Sequence, residues 1–118
     1  MLVGSGLTTT GPKVSTASIT VTKNAAIGVV IGTSAVFYDG SNAHARDPLL
    51  TASGKTVHVI GTHGVTNQAM TGYGCGGAMV KAWYIEEPKA GETYTVTFQG
   101  SGTTVNRVTG ITYFGLNE

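Results

Sequence analysis

The side chains able to do chemistry are few, and their spacing argues against most reactions. His44, Asp47, His58 and His63 could supply nitrogen and oxygen ligands, but none stands in a ligand spacing such as H-E-x-x-H, so no metal site is predicted. Cys75, within Gly72-Tyr73-Gly74-Cys75-Gly76-Gly77, has the element needed for a thiol nucleophile, yet a small residue in a tight turn accounts for it more simply. The same glycines lack the Gly-Lys-Ser/Thr of a phosphate loop and lead into a strand rather than a helix. Ser, His and Asp all occur, but without a G-x-S-x-G elbow. Glu86 and Glu87 are adjacent carboxylates that diverge from one turn, whereas a glycosidase pair must flank the scissile bond from opposite sides. We therefore expect no catalytic residues, no cofactor and no enzymatic activity.

Two non-catalytic constellations remain. Trp83, Tyr84 and Tyr73 could form an aromatic platform for a sugar ring. Alternation puts Trp83 on the same face as Ile85, which predicts a core role for Trp83 and an outward Tyr84. The repeats Thr20-Val21-Thr22 and Thr95-Val96-Thr97 set threonines on one strand face, which reads as an ordinary polar exterior because no fixed period stacks them into an array.

The elements that must carry these residues are strands. Ser18 to Thr22 alternates with period 2, and Ala26 to Tyr38 is a longer apolar run that reads as a central strand, bent or bulged near Gly32. Asp39 to Pro48 is a surface loop, and Leu49 to Ala52 and Thr56 to Ile60 flank a tight turn at Ser53-Gly54. Gly61 to Gly77 is too long for a structureless connection unless it has a role or hides a strand. Ala78 to Ile85, Tyr94 to Phe98 and Arg107 to Phe114 complete the set, and His58 is expected to point away from Val57 and Val59. With no amphipathic helical window, the prediction is an all-β fold of seven or eight strands, an antiparallel sandwich that is immunoglobulin-like or jelly-roll-like. The predicted core is Val29, Ile31, Val57, Val59, Met79, Trp83, Ile85, Val96, Phe98, Val108 and Phe114.

The 118 residues suit one domain, 1–118, with an N-terminal arm at 1–10. Charged residues make up 11% of the chain, against roughly 25% in typical soluble domains, and the net charge is +1. No run of Lys or Arg offers an electrostatic footprint for nucleic acid, and no apolar stretch is long enough for a membrane span. The start Met1-Leu2-Val3-Gly4-Ser5-Gly6 lacks the basic and apolar regions of a secretory signal, so synthesis in a cytoplasm is expected. A neutral exterior suits a subunit packed among copies or against a lattice.

The C-terminal half, Ala82-Trp83-Tyr84-Ile85, Pro88, Gly91, Tyr94-Thr95-Val96-Thr97-Phe98 and Val108-Thr109-Gly110-Ile111-Thr112-Tyr113-Phe114, resembles small β-sandwich domains of tailed-phage virion proteins, and Ser15 to Val36 resembles their earlier strands more loosely. As a short chain it is similar to a capsid decoration, or cement, protein. The resemblance implies a virion location after assembly in the host cytoplasm, and a symmetric homo-oligomer that binds the major capsid protein or other virion subunits. Contacts are expected from the arm, with Met1, Leu2, Val3 and Leu7, and from His63, Met70, Tyr73 and Tyr84. Ten extended arm residues span about 33 Å, enough to reach a neighbour, unless the arm is simply the first strand. The rival expectation is a carbohydrate- or receptor-binding module of a tail fibre or adhesin.

Overall fold

A computed structural model describes the backbone of residues 2–9, 14–38, 48–70, 74–99 and 105–116, and the side chains of 15–36, 48–64, 76–98 and 107–116. The described residues form eight strands: β1 (Leu2–Thr9), β2 (Val14–Thr20), β3 (Ile27–Tyr38), β4 (Leu49–Thr51), β5 (Val57–Met70), β6 (Gly74–Glu86), β7 (Thr93–Gln99) and β8 (Val105–Leu116). They form two antiparallel sheets, a five-stranded one in the order β1-β8-β3-β6-β5 and a three-stranded one in the order β2-β7-β4.

Strand pairing follows the winding of a long hairpin, with β1 beside β8, β2 beside β7 and β3 beside β6. That is the jelly-roll scheme, in which the fourth pair would be β4 with β5. Here β5 pairs with β6 instead and widens the large sheet. The Ser53-Gly54 turn, with Gly54 at φ 74° and Lys55 N–H donating to the Ala52 carbonyl at 3.1 Å, thus carries the chain from one sheet to the other rather than closing a hairpin.

Period-2 alternation sets the core. Ala17, Ile19, Leu50, Tyr94, Val96 and Phe98 from the small sheet meet Val30, Trp83, Ile85, Ile111 and Tyr113 from the large one, and all are buried. Polar groups join this layer at one end. Arg107 is fully buried, its Nη1 donates to Ser34 Oγ at 3.1 Å, and burial pulls its guanidinium below the ordinary range. The hydroxyls of Ser15 and Thr109 hydrogen-bond across the two sheets.

Several expectations need correction. The core contains Trp83, Ile85, Val96 and Phe98 as predicted, with Val57 and Met79 packed against it, but Val29, Ile31, Val108 and Phe114 lie on the opposite face of the large sheet and Val59 is exposed. On β3 the inward residues are Gly28, Val30, Gly32, Ser34 and Val36. The reason is steric: Tyr113 lies over Gly28, and Val96 and Trp83 lie over Gly32, so large neighbours claim the space that β3 side chains would fill. Of the bend or bulge expected near Gly32, the bulge is not found: β3 pairs with both neighbours without a register shift. Most of the run from Gly61 to Gly77 is strand rather than loop, the second half of β5 and the start of β6. The loop expected over Asp39 to Pro48 lies outside the described residues except for Pro48, and the arm from Leu2 to Thr9 is the first strand.

Candidate functional site

The two outward faces of the sandwich differ in chemistry. On the small sheet, Thr16, Ser18 and Thr20 of β2 stand opposite Thr97, Thr95 and Thr93 of β7. Ser18 and Thr95 are hydrogen-bonded at 2.7 Å and Thr20 and Thr93 at 3.3 Å. This is a hydrated hydroxyl surface.

The outward face of the large sheet is largely apolar across β8, β3 and β6. Register stacks it in rows across β8, β3 and β6: Leu116, Ile27 and Glu86; Phe114, Val29 and Tyr84; Thr112, Ile31 and Ala82; Gly110, Thr33 and Val80; Val108, Ala35 and Ala78. Glu86, at one end, is the only carboxylate or cation in these rows. Lys81 and Arg107, the remaining charges described on β6 and β8, face inward and are buried. Side chains shrink along the rows, and a trough of about 450 Å³ opens at the small end, lined by Thr33, Ala35, His63, Ala78, Val80, Val108 and Gly110 together with neighbouring backbone. At the other end the His58 ring stacks on Tyr84 with centroids 4.5 Å apart and planes at 16°, and its Nε2 lies 2.6 Å from Glu86 Oε2.

A second surface adjoins this face. β5 is one of the two edge strands of the large sheet, with no strand beyond it among the described residues, and its fourteen residues, VHVIGTHGVTNQAM, include no Lys, Arg, Asp, Glu or Pro. Proteins usually blunt long edge strands with such residues because unpaired backbone groups recruit other strands. The small sheet ends at the three-residue β4, so it leaves β5 uncovered. Val59, opposite the buried Trp83, is 59% exposed, and Ile60, at a register shift, is 56% exposed. Leu49 on β4 is exposed as well.

The sequence-predicted contact residues divide accordingly. His63 is exposed on the outer face beside the trough, and Tyr84 is half-buried there against His58. Leu2, Val3 and Leu7 fall on β1 and Met70 on β5, with only their backbone described. Met1 and Tyr73 lie outside the described residues, as do His44 and Asp47. His58 points outward as expected. Trp83 is 3% exposed, with the Lys81 ammonium 5.6 Å from its ring centroid, so it offers no stacking platform. Among the described residues no group of three His, Cys, Asp or Glu side chains converges on a metal position.

Sequence reasoning missed the apolar outer face. Its signal was the presence of large apolar residues at both parities of β3 and β8, which a sheet with one hydrated face would not need. No protein-family model, no curated protein and no solved structure matches this chain.

Proposed function

We propose that this chain is a non-enzymatic virion structural protein, a capsid decoration protein of the tailed-phage type that binds the outer lattice of an assembled particle. The observation that carries this reading is the uncharged β5 edge, uncovered among the described residues, with Val59 and Ile60 exposed beside it. Such an edge suits strand addition, in which backbone hydrogen bonds supply affinity and pockets for alternate side chains supply selectivity. Repetition over a lattice multiplies a weak single contact by avidity. The low overall charge supports the same reading, since a subunit packed on a particle has less surface to keep solvated.

The test is quantitative mass spectrometry of particles purified by density gradient from cells carrying the gene. Many copies per particle, with loss of the chain when Thr62 on the β5 edge is changed to Pro, are expected. Particles free of the chain, alongside selective binding of the purified protein on a glycan array, would replace this reading with the carbohydrate-binding one.

A further inference from the structure

The outer face of the large sheet is a different surface from the β5 edge, and its relief points to its occupant. We propose that it is a two-fold interface with a second copy of this chain, with the axis running across the strands near Ile31, a contact that stands whether or not the chain coats a virion.

Three observations carry this. The first is size. Five strands about 4.8 Å apart, over the roughly 30 Å from the row of Ile27 to that of Ala35, give a face of about 700 Å². Two such faces bury about 1,400 Å², inside the range of roughly 1,200 to 2,000 Å² of stable interfaces. The second is charge. With Glu86 at the margin as the only carboxylate or cation in the rows of β8, β3 and β6, a second copy meets no facing like charge there. The third is shape. The rows of Phe114 and Leu116 are bulky, whereas those of Gly110 and Val108 border the trough.

In a two-fold contact, residue i of one copy meets j of the other and j meets i. Ile31 sits on the third of five strands and in the middle row, so an axis through the centre of the face passes beside it. If the axis runs across the strands, Phe114 lies over Gly110 of the second copy and Val29 over Thr33, and each bulky half enters the other's trough. If it ran along the strands, bulky rows would face bulky rows and the two troughs would face each other unfilled. Packing without voids selects the first arrangement, with the usual rotation of about 30° between twisted sheets.

The test is the molar mass of the full chain by light scattering across a concentration series. A dimer is expected, and Ile31→Lys, on the axis, is expected to weaken it by about a hundredfold or more through like charges brought face to face, as is Thr33→Lys through an unpaired ammonium buried against Val29 of the second copy. Thr33 is exposed, so Thr33→Lys keeps the test valid if Ile31→Lys fails to fold; circular dichroism and thermal unfolding check both. In a Cys75→Ser background, a short bis-maleimide is expected to join Val29→Cys to Thr33→Cys in a mixture of the two variants, more than it joins Val29→Cys to itself. A monomer throughout, a trimer, a dimer unaffected by folded Thr33→Lys, or preferential 29-to-29 linkage would overturn the proposal. Particle occupancy is read separately, so failure here and failure of the decoration reading are distinguishable.

Discussion

The phenol of Tyr94 donates a 2.7 Å hydrogen bond to Glu92 Oε1, and this contact anchors the turn that leads into β7. The same oxygen accepts the Lys89 N–H at 2.8 Å, while Oε2 lies 3.1 Å from Lys55 Nζ, which also donates to the Glu87 carbonyl at 2.7 Å. One carboxylate thus ties the crossover between the sheets to the β6–β7 turn. Burial pushes the Glu92 carboxyl up, but the Lys89 N–H, the Tyr94 hydroxyl and the Lys55 ammonium together outweigh it and hold the group below its ordinary value.

A carboxylate with a depressed folded pKa contributes stability that is present above its unfolded value, about 4.3, and lost as pH falls through the folded one. Urea midpoints of the wild type are therefore expected to fall between pH 6 and pH 3 more steeply than those of Glu92→Gln. Parallel pH curves for the two proteins would remove Glu92 from this role.

Tyr113 is buried, its ring meets Tyr94 edge-on at 5.9 Å between centroids, and its hydroxyl has no hydrogen-bond partner among the described residues. A buried polar group without a partner carries its desolvation cost uncompensated, on the order of 1 kcal/mol or more. Tyr113→Phe keeps the ring over Gly28 and is expected to leave stability unchanged or raise it by about 1 kcal/mol, read from the chemical denaturation midpoint. A marked loss would mean that the hydroxyl is satisfied in solution.

Glycines on the two faces of the large sheet give a contrasting pair. A Cβ at Gly32 would lie 2.8 Å from Val96 Cγ1 and 3.2 Å from Trp83 Cζ3, whereas one at Gly61 would meet nothing within 4 Å. Gly32→Ala is expected to cost about 1–3 kcal/mol through overpacking. Gly61→Ala should stay within about 0.5 kcal/mol. Equal thermal shifts in the two variants would contradict the packing of Val96 and Trp83 onto β3.

That packing also explains how much could be read from sequence. The all-β class, the strands of the C-terminal half, the inward Trp83 and the outward His58 follow from alternation and turn residues alone. The facing of β3 does not, because Ile27, Val29 and Ile31 make its outward parity more apolar than the inward Gly28, Val30 and Gly32. A local pattern reports which parity is greasier, not which one a ring from β7 or β8 has already filled. On β8 the same ambiguity hid Arg107 and Thr109 among the buried residues, since their hydrogen bonds come from Ser34 and Ser15, far away in sequence. The β5 edge was concealed in a glycine-rich stretch whose strand character depends on pairing with β6.

Val59 separates the fold from the docking surface. By register it faces the core layer opposite Trp83, yet it is exposed because the small sheet stops at β4, so replacing it removes little burial. Val59→Lys is therefore expected to change stability by no more than about 0.5 kcal/mol, as at other exposed sites. A lysine on an edge strand nonetheless discourages a further strand from pairing there. If β5 docks the protein on a particle, this variant should fold with an unchanged melting temperature and be depleted from purified particles, while its self-association through Ile31 persists. Particle occupancy equal to wild type would move the lattice contact away from β5.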